Sequence, residues 1–288
     1  MSATPAPTLV VSSGWAMRAW GFLLNVILAF FIANVGLIVL VVVVNSVAQR
    51  WLGTWLPEGW TTEWYTSAWK EFQLGSVLTV TFEVVVMVVA VSVVLGVPAA
   101  YALARREFPG KRAVMLLFLL PLMVPPMTYG LPLATVMYKV GLAGTAAGVV
   151  VANLIPTVPF VILVMTPFIE QIDPNLESAA RVFGAGTGRV FLHVLVPLLA
   201  PGILAASLLV LVRTMAMFEL TFLVAGSGSQ TLVVALYYAV FAAGVRAPQS
   251  VDAMAVIYMV LSLLWLGTAL RFVNPTQLVS RVKEHKAT

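Results

Sequence analysis

Cysteine is absent from the 288 residues, and charge is scarce: Asp, Glu, Lys and Arg make up 9% of the chain. Without a thiol there is no disulfide, no thiolate metal site and no cysteine nucleophile. The two histidines, His193 and His285, stand far apart in sequence and do not suggest a metal cluster. No G-x-x-x-x-G-K-[ST] loop occurs. The glycine-rich run Gly184-Ala185-Gly186-Thr187-Gly188-Arg189 lacks both the lysine and the spacing, so ATP is not held here by a phosphate loop. There is no H-E-x-x-H and no plausible Ser/His/Asp grouping. An enzyme buried in a membrane needs several polar residues at one depth, and the polar set is too sparse to favour one.

What is abundant is apolar surface, at 61% of residues. A soluble globular domain carries roughly 25% charged residues, so lipid is the expected solvent. The net charge of +5 does not point to nucleic acid, because the basic residues are scattered through short loops instead of lining one polar face. About 20 apolar residues cross a bilayer core. Six segments reach that length, near 21–48, 77–104, 113–138, 147–168, 202–225 and 251–273. The expected fold is all-α, a six-span domain over 21–273 with tails at 1–20 and 274–288. The first span is too long for a secretory signal and reads as an uncleaved anchor.

Lys and Arg set the orientation. Arg18, Arg105, Arg106, Lys111, Arg112, Arg181, Arg189, Arg271, Arg281, Lys283 and Lys286 fall on one side of the predicted spans. Arg50, Lys70, Lys139 and Arg246 fall on the other, and Arg213 lies within the fifth span. The bias places both termini in the cytoplasm. Trp51, Trp55, Trp60, Trp64, Tyr65 and Trp69 crowd the opposite loop. Indoles favour the membrane–water boundary; a ligand-stacking box is the alternative.

Residues 173–197 carry the most specific signal. Asp173 then Pro174 is a helix start, an acidic N-cap followed by a residue whose missing N–H costs nothing. Gly184 can end that helix in the left-handed conformation. Thr187 is expected to cap a second short helix to about Leu195, and Pro197 to stop it. Two short helices outside the bilayer are either a solvated connector or a working part, and spacing alone leaves both open.

Ser178-Ala179-Ala180, Gly184 and Val194-Leu195-Val196-Pro197 resemble the signature loop of permeases in ATP-binding-cassette importers, E-A-A, three residues, Gly, nine residues, I-x-L-P. Ser178 replaces the usual glutamate, with Glu177 just before it. Asn45-Ser46, the stretch Gly59 to Tyr65, and Ala100-Tyr101-Ala102-Leu103 with Phe108-Pro109-Gly110-Lys111 are similar to the second membrane subunit of spermidine/putrescine importers. The resemblance implies a non-enzymatic subunit in a bacterial inner membrane, with no cofactor of its own. It pairs with a second, similar permease around the pathway for a small polar solute, a polyamine or related compound. Two ATP-binding subunits hold ATP and Mg, one docking on the 173–195 loop, and a periplasmic solute-binding protein delivers the solute. Glu177, Ser178, Ala179, Ala180, Arg181, Phe183, Gly184 and Pro197 are then the coupling residues, with Val182 a further apolar anchor. A sugar-type importer, an ATPase-independent channel and a secondary transporter are the alternatives.

A charge at the bilayer centre costs roughly 2.5–3.5 kcal/mol on insertion scales. Glu83, Arg213 and Glu219 are therefore expected to face protein or pathway, with Glu83 near enough to a span end to be interfacial. On one continuous helix Arg213 and Glu219 would lie about 240° apart and share no face. Tyr129, Asn153 and Thr157, with Thr128 and Thr221, are uncharged pathway candidates that serve equally as glue between helices. Pro121, Pro125, Pro126, Pro132, Pro156 and Pro159 predict kinks in spans three and four.

Overall fold

The structure, a computed structural model, describes residues 14–51, 53–241 and 246–272. It is all helical, with a single isolated bridge, Ala48 to Trp60, among the described residues. Among the described residues five helices are long and apolar enough to cross a bilayer, and a bent pair makes up to six if it is one span. Of the expected tails, residues 1–13 and all of 274–288 lie outside the described residues, while 14–20 belong to the first helix and not to a tail.

Helix α1 (Gly14–Ser46) is apolar all round and exposed along most of its length. Its neighbour is α12 (Pro248–Phe272), and Asn45 donates from Nδ2 to the Asp252 carboxylate near the end of both. A short helix α2 (Glu63–Glu71) lies across this tryptophan end. Trp64 Nε1 donates to the Ala48 carbonyl at 2.7 Å, and the Ser46 and Tyr65 hydroxyls meet at 2.9 Å. Glu71 pairs with Arg246 at 3.0 Å. The Trp55 side chain is almost wholly exposed, as a boundary-seeking indole requires.

The core is the pair α3 (Leu74–Arg105) and α6 (Ala146–Glu170), whose interface is the most extensive in the fold. Val84, Val88, Val97, Val161, Ile162 and Met165 fill it. Gly96 permits the approach: a Cβ there would sit 2.6 Å from Val161 Cγ1. Glu83 faces outward, two turns into α3.

Span three is not one helix. Helices α4 (Lys111–Met123) and α5 (Pro126–Lys139) meet at 98°. Val124 and Pro125 are extended, with ψ of 133° at each, because a residue before proline is pushed out of the helical region. Consecutive prolines at 125 and 126 impose this twice. The kink expected from composition is therefore a full break.

The loop between spans four and five also departs from expectation. Helix α7 (Pro174–Val182) forms as predicted, but the second segment does not stop at Pro197. It runs as α8 (Thr187–Val190), a wider π turn (Phe191–Leu195) and α9 (Val196–Met215), one continuous rod of 29 residues. The Val196 N–H reaches back to the Phe191 carbonyl, one residue beyond the usual partner. That wide turn makes room for a proline ring that would otherwise strike the carbonyl four residues earlier, at His193. Gly186, not Thr187, takes the N-cap position.

Span five ends early. Helix α9 stops at Met215, the backbone is irregular over 216–218, and α10 (Glu219–Val224) and α11 (Leu232–Phe241) follow. The turn between them is pinned to the rest of the bundle: Gly144 N–H donates to the Val224 carbonyl at 2.8 Å, and Leu232 N–H to Thr81 Oγ1 at 2.8 Å.

Candidate functional site

Two regions collect the candidate residues. The first is the 173–197 segment at the end of the bundle that carries Arg105, Arg106 and Arg181. Asp173 Oδ1 accepts from the Asn175 N–H at 2.9 Å, so the acidic N-cap is formed and Pro174 occupies the first helical turn. Gly184 closes α7 at φ +83°, where a side chain would be strained, and the Ala185 N–H bonds back to the Ala180 carbonyl.

This geometry splits the candidate residues between two faces. Ser178, Ala179, Arg181 and Gly184 are exposed, and Val182 and Phe183 project with 83% and 91% of their surface free. Large apolar side chains on a polar-capped helix beyond the membrane spans are uncovered surface seeking a partner. Ala180 is half-buried against the core, and Pro197 sits inside the rod, away from this face.

Glu177 points the other way. It is buried, and both its carboxylate oxygens are engaged: Arg105 Nε donates to Oε1 at 2.7 Å and Tyr101 OH donates to Oε2 at 2.7 Å. Arg105 also donates from Nη2 to the Ile172 carbonyl at 2.6 Å. Tyr101 in turn packs on Phe191 of the π turn, ring centres 5.4 Å apart. Beside these residues lies a cavity of about 380 Å³, lined also by Arg106, Arg181 and Thr187.

The second region lies within the bundle, around the α4–α5 and α9–α10 breaks. Asn153 is fully buried, donating to the Val149 carbonyl at 2.9 Å and to Thr221 Oγ1 at 3.2 Å. Thr157 donates to the Asn153 carbonyl, so the Ser92 hydroxyl at 2.8 Å is the donor to Thr157. These residues join α3, α6 and α10, and the bonds they make are those of helix glue, while Asn153 Oδ1 is buried with no partner. Thr128 is exposed.

Tyr129, Arg213 and Glu219 differ. Arg213 and Glu219 both lie within Coulombic range of the Tyr129 hydroxyl. The Tyr129 hydroxyl and Arg213 Nε are buried with no hydrogen-bond partner, and neither Arg213 nor Glu219 takes part in an ion pair among the described residues. The guanidinium lies over the Phe160 ring, 5.4 Å from its centre. The helix break at 216–218 is why the expected 240° separation does not apply: the two residues belong to different helices. Irregular backbone at this depth is tolerated only where it is buried in protein or lines a polar cavity.

An aromatic cluster escaped the sequence reading. Phe218, Phe222, Tyr237, Tyr238 and Phe241 form a chain of ring contacts at 4.7–5.8 Å between α10 and α11. The i, i+4 spacing of Phe218 with Phe222 and of Tyr237 with Phe241 is its only trace in sequence.

Residues 92–277 match the family described as binding-protein-dependent transport system inner membrane component. The chain belongs to that family. Over 160 residues it is 34% identical to the trehalose transport system permease protein SugB of Mycobacterium tuberculosis, covering 56% of this chain and 58% of that one. Over 170 residues it is 31% identical to the sulfate transport system permease protein CysW of a Synechocystis strain, covering 55% and 61%. The chain thus spans about three fifths of the curated relatives it matches. A bacterial transporter that imports the acidic polysaccharide alginate shares the fold, with a TM-score of 0.76 at 18% identity over 93% of this chain and all of that one. The matched region contains the 173–197 segment, both helix breaks and the aromatic cluster.

Proposed function

We propose that this chain forms half of the translocation pathway of an ATP-binding-cassette importer and transmits work from separate ATPase subunits without hydrolysing ATP. One observation carries the reading: α7 presents Val182 and Phe183 nearly naked at the arginine-rich end of a permease-family fold. An apolar pair of this kind, ringed by Arg181 and small residues, suits insertion into a groove on a partner. ATP and Mg are then held by that partner. The excess of Lys and Arg at the same end supports a cytoplasmic location for it and for both termini. A second permease subunit completes the pathway, and a solute-binding protein docks at the tryptophan end, in keeping with the family's dependence on such proteins.

The solute is small and polar. Arg213 and Tyr129, with donors unspent inside the bundle, favour a neutral, oxygen-rich or anionic molecule, and the relatives named above serve trehalose and sulfate systems. A polyamine is the second reading, supported by Glu219 and by the resemblance of residues 45–65 and 100–111; the fixed cation at Arg213 opposes it. Uptake of labelled trehalose, sulfate and putrescine into vesicles holding the complete complex decides the matter. ATP-dependent entry of one of them identifies the solute class. Entry that continues without ATP or an ATPase would overturn the importer reading in favour of a channel or secondary transporter.

A further inference from the structure

The resemblance groups Glu177 with the surface that meets the ATPase, yet the structure spends this residue entirely on the chain's own helices. Both carboxylate oxygens accept short bonds from α3, one from Arg105 and one from Tyr101, and the Arg105 and Glu177 side chains are 15% and 8% exposed. Charge-assisted bonds of this geometry, shielded from water, are among the strongest that side chains make. Arg105 also donates from Nη2 to the Ile172 carbonyl, at the end of α6. One guanidinium therefore ties together the ends of α3 and α6 and the first turns of α7.

The opposite connection has no charged side-chain bond: between α7 and α8 the chain passes through Gly184 at positive φ, Ala185 and Gly186, and α7 meets α8 and the π turn through apolar packing and backbone turns. Beyond that bend, the rod toward α9 contains the π turn, a common hinge in otherwise regular helices. Tyr101 touches that turn through Phe191, an apolar contact free to slide.

We infer that Arg105, Glu177 and Tyr101 form a latch that makes α7 one rigid body with α3 and α6, so that force applied to α7 reaches the bundle through α3 while α9 yields at its π turn. Glu177 is then a positioning residue, not a docking contact. The inference rests on the proposed importer function. α3 and α6 are suited to receive the force, because the Gly96–Val161 contact leaves them no space to slip past each other.

The test uses the complete complex in vesicles and measures three quantities: ATPase subunit co-purified per permease, ATP hydrolysed, and solute imported. Glu177→Gln keeps the shape but loses the charge. The expected result is wild-type co-purification and sustained hydrolysis, with the ATP consumed per solute rising about tenfold, the factor that loss of one charged hydrogen bond would bring. Tyr101→Phe, a milder change that leaves Arg105 in place, is expected to raise that ratio less, and Arg105→Lys to fall between them. Should Glu177→Gln fail to accumulate in the membrane, Tyr101→Phe alone carries the test. An unchanged ratio in the accumulated variants would overturn the latch, and so would loss of the ATPase from purified Glu177→Gln complex. A wild-type complex that hydrolyses no ATP during uptake would overturn the importer reading itself, and the latch with it.

Discussion

The guanidinium of Arg213 lies over the ring of Phe160 with its Nε buried and unbonded. A helix break three residues further on separates it from Glu219. A cation so placed is held by dispersion and the ring quadrupole, worth about 0.5–2 kcal/mol, and keeps hydrogen-bonding capacity in reserve. If that reserve serves the solute, Arg213→Gln accumulates at wild-type level and lowers uptake about tenfold, the effect of one charged hydrogen bond. Quantitative blotting of membranes beside initial uptake rates checks it. Loss of protein with uptake in proportion would instead mark Arg213 as structural glue.

The α3–α6 contact gives a second expectation. Gly96→Ala drives a methyl to within 2.6 Å of Val161 Cγ1 and 2.7 Å of its Cβ. Overpacking of this kind costs about 1–3 kcal/mol. The variant is expected to lose thermal stability in detergent, and Val161→Ala in the same chain to restore only the part due to Cγ1, because the Cβ at 2.7 Å stays in place. Additive loss in the double variant would show that the strain lies elsewhere.

The proposed docking through α7 would make Phe183 the decisive surface residue, since it is 91% exposed and can matter little to the fold alone. Phe183→Ser is expected to leave permease abundance unchanged and to cost about 2 kcal/mol or more of partner affinity, as loss of a central apolar anchor does. Co-purification of the ATPase at graded dilution measures it. Arg181→Ala, at the rim, is expected to weaken the same association less and in a salt-dependent way.

Much of this was legible in sequence because lipid imposes simple rules. Long apolar runs had to be helices, and the ends of α3, α6 and α12 fall within a few residues of the expected limits. Asp173, Pro174 and Gly184 announced α7 because capping chemistry is local. What stayed hidden was set by tertiary context. Proline marked trouble at 125–126 and at 197, but only the surrounding packing decides between a break of 98° and a wide turn that leaves the rod intact. The end of α9 at Met215 has no proline or glycine to signal it. The inward face of Glu177 depends on Arg105 and Tyr101, more than seventy residues away, and no local pattern connects them.

The π turn offers the sharpest separation of sequence from geometry. It holds one residue more than a regular turn, so deleting His193 should convert Phe191–Leu195 to α-helix and leave the segments on either side close to their present register. The deletion would bring the Pro197 ring against the Leu192 carbonyl, then four residues before it in a regular helix, at about 3 kcal/mol. The single deletion is therefore expected to be unstable, and the deletion combined with Pro197→Ala to accumulate normally yet lower uptake, because the turn at which α9 yields is gone. Thermal melting and vesicle transport of the two variants separate these effects. Equal stability of both would show that proline is not what the wide turn accommodates.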